Sequence, residues 1–343
     1  MARTLAKLLL IALITAALSE GLIRLMLGHP DLTPEPFKTL CMKYHLRHDR
    51  PLVQYLRQCA QWDPGLFYTL RPGSCEVASR EFDVFLQVNA LGLRDDEVAE
   101  PPRVVVLGDS QAMGWGVAQD QTFAQRLEAM LGEPVLNAAV PSYGTAREML
   151  MLQRLEDRGL LDDAEPAAVV IAYNANDFDE NLAFVQGGFV LDVSPQERWE
   201  ELARQQDGNR AYWPGKHLWY MLAMAWDEFG PADSGQDQAD PVPAPELGEA
   251  QAFMAVLDHF KDLLAGRTLV VLEINEHAKN NDGDFLGQVQ ALLAQGGEPE
   301  FAVDLRLADL SGALVDGDFY AYDGHMTAAG HARVAGILAE LLK

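Results

Sequence analysis

A serine stands directly after a short apolar run. The run 104–107 is followed by Gly108, Asp109 and Ser110, and a helical pattern begins further on, near Thr122. Four consecutive apolar residues predict a short buried strand, and a residue directly after a parallel strand lies at the carboxyl edge of the sheet, where open α/β sheets bind ligands. Free backbone N–H groups at a helix start stabilise negative charge. Ser110 is therefore suitably placed to attack an ester. A simple turn with a helix cap is the alternative explanation of the same Gly-Asp-Ser motif.

Two further loops follow predicted strands and carry hydrogen-bond donors suited to an oxyanion beside Ser110. Gly144 opens a helix after the second strand, so its backbone N–H is expected to point into the crevice beside Ser110. Asn176 follows the third strand, and its side-chain amide is an uncharged donor for a developing oxyanion. The plain alternatives are a glycine needed only for a turn and the usual turn chemistry of asparagine.

A histidine lies just before the last helical segment of the chain. The residues are Asp323, Gly324 and His325. A histidine in this loop is placed to reach back over the sheet edge as a general base, with Asp323 fixing its tautomer. A capping loop with a surface histidine is the alternative. Asp316 and Asp318 are rival partners for the imidazole. His331 is a rival base, but its position inside the helix fits packing better.

The sequence predicts no metal and no cofactor. Asn174, Asn176 and Asp179 lack the central glycine and the distal glutamate of a calcium loop. The three cysteines lack metal-ligand spacing. A nucleotide-binding module is a rival interpretation because Gly114 and Gly116 follow a strand, but the third glycine of the dinucleotide motif and the phosphate-loop lysine are both missing.

Strands and helices alternate from residue 101 onward. Repeated βα units imply a parallel sheet covered on both faces, so we expect a three-layer α/β/α sandwich with a central parallel sheet of about five strands. Thr145 and Glu148 form a capping-box pattern at the start of the second helix. The predicted strands are 104–107, 135–139, 167–173, 268–274 and 301–305, and the predicted helices are 122–131, 145–158, 250–264, 285–294 and 327–342.

The composition excludes some partners. The chain has 343 residues, with 26 basic and 51 acidic side chains and a formal net charge of −25. A surface this negative repels nucleic acid and anionic headgroups, so neither is an expected ligand. Cys41, Cys59 and Cys75 all precede residue 103. In an oxidising compartment two of them would pair, but the sequence does not say which two, and three buried thiols remain the alternative.

The N-terminus predicts a membrane anchor over residues 1–27. The apolar run 8–18 is too short to span a bilayer alone, and it becomes long enough when 22–27 are added, with Glu20 and Arg24 as an i, i+4 pair. Arg3 and Lys7 precede the run, which favours a cytoplasmic N-terminus and an exported remainder. The alternative is a signal peptide cleaved after Ser19.

Two segments surround the alternating region. Residues 28–100 are rich in proline, contain strand candidates near 67–70 and 82–88, and are predicted to form a cap against the main domain. Residues 183–249 interrupt the main domain, 101–343, with an insertion that carries several aromatic residues and a loop at 230–248 rich in Pro, Gly, Asp and Gln. Those aromatics would line a substrate groove or form the core of a small helical insertion.

These blocks together resemble the SGNH, or GDSL-type, hydrolase superfamily. The most specific pieces are VVVLGDS at 104–110 and DGHMTAAGH at 323–331, and the likeness covers roughly 103–343. The resemblance implies a flavodoxin-like fold and a site in which Ser110 is the nucleophile and His325 with Asp323 forms the base. It further implies an oxyanion hole made by the Ser110 and Gly144 N–H groups and the Asn176 amide.

The sequence departs from the usual pattern of that superfamily at two blocks, and two of its features look like a membrane-anchored branch. Asn174 stands where the third block usually has glycine, and the last block has the short Asp-x-His spacing rather than Asp-x-x-His. The run Asn89–Arg94 is similar to bacterial members with an N-terminal anchor. The short spacing looks like the membrane-associated branch, which includes proteins that handle O-acetyl groups on exported polysaccharides.

The resemblance implies an ester hydrolase acting through a serine triad, with a small-molecule or glycan ester as substrate. Two alternatives remain open from the sequence. The acyl group would pass to a sugar hydroxyl in an O-acyltransferase, and a non-catalytic carbohydrate-binding or assembly protein would use the same scaffold, because a fold does not guarantee an activity.

Overall fold

A computed structural model of the chain describes residues 1–161, 168–229, 247–296 and 304–343. The strands are β1 (Ala60–Asp63), β2 (Phe67–Leu70), β3 (Gly73–Ala78), β4 (Asp83–Val88), β5 (Val104–Gly108), β6 (Val135–Asn137), β7 (Ala168–Tyr173), β8 (Thr268–Glu273) and β9 (Asp304–Ala308). The helices are α1 (Ala2–Gly28), α2 (Glu35–Tyr44), α3 (Ser110–Met113), α4 (Phe123–Leu131), α5 (Thr145–Asp157), α6 (Asp177–Gln186), α7 (Gln196–Arg210), α8 (Lys216–Phe229), α9 (Glu249–His259), α10 (Lys261–Leu264), α11 (Asp284–Gly296) and α12 (Ala328–Leu341).

Five parallel strands form the central sheet, in the order β6-β5-β7-β8-β9. Strands β5, β6 and β7 are buried along their whole length, which explains why they are continuous apolar runs rather than alternating ones. One face of the sheet packs with α4 and α12, and the other with α5, α9 and α11. The predicted three-layer α/β/α fold is confirmed by this sheet.

Some local predictions differ from the structure. Gly144 is the N-cap of α5, and Thr145 lies one residue inside the helix. The Thr145 hydroxyl donates to Asp177, so the predicted capping box is wrong. Glu148 is buried, with no hydrogen-bond partner for either carboxylate oxygen in the described chain, and burial raises its pKa well above the usual range, with the charge of Asp177 adding to the shift. Thr145 thus bonds a residue of another segment and Glu148 lies in the interior, so neither side chain caps the helix.

The boundaries of other elements also shift. The predicted helix 250–264 is two helices, α9 and α10, which meet at Phe260. The fifth strand runs from Asp304 to Ala308, and the predicted residues 301–303 lie outside the described residues, as does residue 167 of the third strand. The predicted loop 230–248 lies outside the described residues up to 246.

The segment 28–100 contributes two small antiparallel sheets, β1–β2 and β3–β4. Its helix α2 is followed by a five-residue π-helical turn, His45–Asp49. A disulfide joins Cys59, just before β1, to Cys75 in β3, and Cys41 is a free, buried thiol. The structure thereby decides which two of the three cysteines pair. The bond ties residues 50–59 to the β3–β4 hairpin.

The aromatic residues of the insertion have different environments. Trp199 of α7 is buried and donates to the carbonyl of Gln54 at 2.9 Å. Trp219 and Trp226 of α8 are exposed on the outside of the molecule. They contribute neither to a buried core nor to the crevice beside Ser110, which they do not line.

Candidate active site

The turn after β5 presents Ser110 at the sheet edge. Gly108 has φ +150°, and a Cβ there would lie 2.5 Å from the Cβ of Ala112, so no larger residue fits between strand and helix. Asp109 is the N-cap of α3, and its carboxylate accepts a hydrogen bond from the Gln111 N–H at 2.8 Å. The Ser110 N–H forms no hydrogen bond within the described chain and remains free to bind a ligand.

Ser110, His325 and Asp323 form a continuous hydrogen-bonded series. The Ser110 Oγ lies 2.7 Å from the His325 Nε2, and the His325 Nδ1 bonds the Asp323 Oδ1. Burial alone would raise the pKa of Asp323, but the charge and hydrogen bond of His325, assisted by His45, hold this pKa well below its usual range. The carboxylate therefore stays ionised and fixes the imidazole with its Nε2 directed at the serine.

A second histidine contacts the same carboxylate. The Nε2 of His45 lies 3.1 Å from the Asp323 Oδ2, and both side chains are fully buried. His45 begins the π-helical turn that follows α2, far from the last block in sequence. Asp323 is thus held between two imidazoles, one on each oxygen. Sequence reasoning missed His45 because no motif surrounds it and its partner lies 278 residues away.

Two more side chains fix the loop that carries Asp323. The Glu81 carboxylate, in the turn between β3 and β4, accepts hydrogen bonds from the backbone N–H groups of Ala321, Tyr322 and Asp323 at 2.7 to 2.9 Å. Gln111 accepts from the Met326 N–H at 3.1 Å and so ties the nucleophile turn to the histidine loop. Both contacts are long-range, and neither leaves a local signal in the sequence.

Asn176 lines the same cavity as Ser110. Its Nδ2 donates one hydrogen to the Asp109 Oδ2 at 3.2 Å, and the second hydrogen of the amide remains available. The loop is held by Asn174, whose side chain donates to the carbonyl of Ile274 at 2.9 Å and accepts from the Asn176 N–H at 3.1 Å. Asn174 and Asn176 both line the cavity next to Ser110.

Gly144 does not reach this cavity. Its N–H donates to the Glu180 carboxylate at 3.0 Å, and a Cβ on Gly144 would meet Glu180 at 3.0 Å. The residues of the second loop that line the cavity are Pro141 and Ser142. The φ of Ser142, +57°, is one that L-residues adopt rarely, and its N–H forms no hydrogen bond within the described residues. The N–H of this loop that is available at the cavity is therefore that of Ser142 rather than that of Gly144.

The rival residues of the last block are engaged elsewhere. The His331 Nδ1 accepts from the backbone N–H of Phe123 at 3.2 Å, and burial lowers the pKa of His331 to about 3. Asp318 pairs with Arg333 and accepts from the Val315 N–H. The structure thus brings Asp323, rather than Asp318, to His325.

The crevice beside Ser110 is small and half open. It has a volume of about 60 Å³. One wall is the segment 50–54, which follows the π-helical turn, and the Arg50 guanidinium in that wall pairs with Glu276 on the opposite side at 2.9 Å. Gln54 donates to the Ser142 hydroxyl at 3.1 Å. The segment that precedes the α/β domain therefore builds one side of the site. The lining residues are Arg50, Pro51, Leu52, Val53, Gln54, Asp109, Ser110, Gln111, Trp115, Pro141, Ser142, Asn174, Asn176, Glu276 and His325.

The run Asn89–Arg94 packs against the residues that follow Ser110 and holds their backbone by hydrogen bonds. Arg94 is 1% exposed, and its guanidinium donates to the backbone carbonyls of Met113, Gly114 and Val117. Burial lowers the pKa of Arg94 to about 10, so the side chain remains charged at neutral pH. Asn89 accepts from two N–H groups of its own loop and shapes the turn that delivers Arg94.

The fold and the site together define an α/β protein with a Ser–His–Asp series at the carboxyl edge of its sheet. That sheet, with its nucleophile turn after the first strand and its histidine loop before the last helix, matches the SGNH α/β fold that the sequence blocks predicted. No protein-family model matches the chain, and no curated protein shows significant sequence similarity to it.

Solved structures similar to this chain include lipolytic G-D-S-L family proteins and a carbohydrate esterase. A lipolytic G-D-S-L family protein from Veillonella parvula is 12% identical, with 69% of this chain and 96% of that chain covered and a TM-score of 0.35. TesA is 18% identical, with 70% and 97% covered and a TM-score of 0.34. A carbohydrate esterase family 2 enzyme with a carbohydrate-binding domain, from Corynascus thermopiles (Myceliophthora fergusii), is 15% identical, with 71% and 67% covered and a TM-score of 0.37. At this level the likeness concerns the fold alone.

Proposed function

We propose that this protein is a serine ester hydrolase of the SGNH type, exported and held at a membrane by α1, that removes a small acyl group from a glycan or small-molecule ester. The observation that carries the proposal is the unbroken series from the Ser110 Oγ through His325 to Asp323. A binding protein without catalysis has no need of a serine hydroxyl 2.7 Å from a histidine whose other nitrogen is bonded to a buried carboxylate.

In the proposed mechanism the Ser110 Oγ attacks the ester carbonyl while the His325 Nε2 takes the serine proton. Asp323 stabilises the resulting imidazolium without taking its proton. The oxyanion accepts hydrogen bonds from the Ser110 N–H, the Ser142 N–H and the free hydrogen of the Asn176 amide, which line the same cavity. His325 then returns the proton to the leaving alcohol. Water, activated in the same way, attacks the acyl-enzyme and releases the acid.

Two observations support export. The first 28 residues form one apolar helix of sufficient length to cross a membrane, and positive residues precede its apolar run. Cys59 and Cys75 form a disulfide, and disulfides persist in oxidising compartments outside the cytoplasm. Both fit an orientation in which the α/β domain lies on the exported side.

Labelling with a fluorophosphonate tests the proposal. The reagent reacts with an activated serine hydroxyl, so we expect one adduct per chain, located on the Ser110 peptide by mass spectrometry. The Ser110→Ala variant should remain unlabelled. The matched control is Ser74→Ala, since Ser74 is bonded to Gln87 on the exposed hairpin, and this variant should label as the native chain does. A native chain that takes up no reagent would rule out the nucleophile role.

The size of the crevice predicts a preference for short acyl groups. One water-sized group occupies about 15 Å³, so a crevice of about 60 Å³ holds an acetyl group beside Ser110. We expect kcat/KM to fall by about 10- to 100-fold from p-nitrophenyl acetate to p-nitrophenyl octanoate, because a longer chain must displace packed residues. Leu52→Ala should enlarge the crevice and so reduce the difference in kcat/KM between the two esters. A native preference for octanoate would contradict the small-acyl assignment.

Replacing His45 by phenylalanine is expected to slow the reaction without weakening substrate binding. The substitution removes one hydrogen bond to an ionised carboxylate, an interaction that contributes about 1.5–3 kcal/mol, so kcat should fall by about 10- to 100-fold. KM should stay within about twofold because His45 does not line the crevice. His48→Phe is the control, since His48 stacks on Tyr220 instead. An unchanged kcat in a folded His45→Phe protein would show that one imidazole is enough for Asp323.

A further inference from the structure

Helix α8 carries an exposed apolar stripe beside the membrane helix. Trp219, Leu222 and Trp226 are 64, 60 and 68% exposed. Their spacing of three and four residues places them on one face of the helix. On the other side of α8, Met221 and Met224 are buried in a cluster with Ile23 and Leu27 of α1. Among the described residues the stripe is therefore a separate surface without a partner, on a helix whose inner face is already packed.

The contact between α8 and α1 lies at the point where α1 would leave a bilayer. Residues 5 to 18 of α1 expose their large apolar side chains. A span needs about 20 residues, so a span that begins with the apolar run at residue 8 ends near Leu27, and Glu20 lies in its outer part. The Glu20 carboxylate accepts hydrogen bonds from the Leu218 N–H at 2.9 Å and from the His217 Nδ1 at 2.7 Å. Helix α8 is thus fixed to the outer part of α1, next to the exported membrane surface.

Cationic side chains surround the same junction although the chain as a whole is strongly acidic. A cavity of about 330 Å³ beside the start of α8 is lined by Arg24, Arg80, Arg210 and Lys216. Arg24 is paired with Glu20 and Arg80 with Asp49, and Arg210 and Lys216 leave the cluster with a net positive charge. Phosphate groups of lipids would be attracted to this cluster. A second copy of the chain would carry the same net charge of −25 and the same cations, so it is a poorer partner for the surface.

We propose that α8 is an interfacial helix that docks on the exported leaflet, with Trp219, Leu222 and Trp226 in the headgroup region and the neighbouring cationic cluster against lipid phosphate. Tryptophan favours this zone because one part of the ring is apolar and the other can hydrogen-bond. The docking rests on the proposed anchoring by α1, and it holds the α/β domain at a fixed tilt on the membrane surface.

Fluorine NMR of the full chain in phosphatidylcholine nanodiscs tests the docking. The chain has six tryptophans, and incorporation of 5-fluorotryptophan gives one fluorine signal for each. Single Trp→Phe substitutions assign each signal to its residue. We expect the signals of Trp219 and Trp226 to lose most of their intensity when lipid spin-labelled near the headgroup is added. Trp115 and Trp199, buried in the domain, should keep theirs. Equal intensity for all four would overturn the docking.

A Leu13→Trp variant separates this result from failure of the anchor. Its signal should broaden with lipid labelled deep in the acyl chain, because Leu13 is 69% exposed in the middle of α1. Broadening at Leu13→Trp with sharp signals at Trp219 and Trp226 would reject the docking alone. A sharp signal at all three positions would reject both the anchor and the docking. Signals of Trp219 and Trp226 that change only with the number of chains per disc would assign the stripe to a second copy.

Discussion

Replacing Ser110 by alanine is expected to lower kcat for p-nitrophenyl acetate by about 10⁶-fold, the size of effect found when the nucleophile of a serine triad is removed. The expectation follows from the 2.7 Å contact between the Ser110 Oγ and the His325 Nε2, because neither group performs its step without the other. His325→Ala should cost about as much. Steady-state assays at enzyme concentrations high enough to detect the residual rate measure both.

The double variant makes the prediction sharper. Residues that act as one unit are non-additive, so Ser110→Ala combined with His325→Ala should be no slower than either single variant. A double variant whose loss is the product of the two single losses would mean that the residues act independently and that the hydrogen bond has no part in catalysis. Far-ultraviolet circular dichroism of each variant serves as the control for folding.

Arg94→Met is expected to have the largest effect on stability of the substitutions considered. The change removes three hydrogen bonds from a charged donor. The Met113 carbonyl keeps the Asn137 side-chain amide and the Gly114 carbonyl keeps the Val117 N–H, while the Val117 carbonyl is left without a donor among the described residues. Hydrogen bonds to a charged group contribute about 1.5–3 kcal/mol each, so the free energy of unfolding should fall by about 3 kcal/mol. Urea unfolding in detergent micelles, followed by near-ultraviolet circular dichroism, gives the value.

Arg71→Met is the matched control for Arg94→Met. Arg71 is exposed at the end of β2, and substitutions at such positions usually change stability by less than about 0.5 kcal/mol. Arg94→Lys should recover only part of the loss, because a single ammonium cannot bond three separated carbonyls as the planar guanidinium does. An Arg94→Met protein as stable as Arg71→Met would show that water satisfies those carbonyls.

Sequence reasoning recovered what local patterns specify. Buried parallel strands are continuous apolar runs, so β5, β7 and β8 were predictable, and with them the edge of the sheet where Ser110 and Asn176 lie. The histidine loop was predictable because it directly precedes the last helix. These features depend on residues close together in the chain, and the periodicity of one segment is enough to reveal them.

Contacts between distant segments could not be predicted in the same way. His45, Glu81 and the wall 50–54 come from the part of the chain that has no motif, and each matters only through a partner more than 50 residues away. Gly144 was predicted to face the crevice because it opens a helix directly after the second strand. In the structure the left-handed residue at the crevice is Ser142, which sequence rules disfavour at that conformation.

The hydroxyl of Tyr322 donates to the carbonyl of Met26, in the last turn of α1, at 2.9 Å, and the next residue along the chain is Asp323. The loop that carries Asp323 is thus hydrogen-bonded to α1 directly. Under the proposed function, this contact would keep the site at a fixed distance from the bilayer. The proposed hydrolase would then favour esters held near the membrane surface over the same groups free in solution.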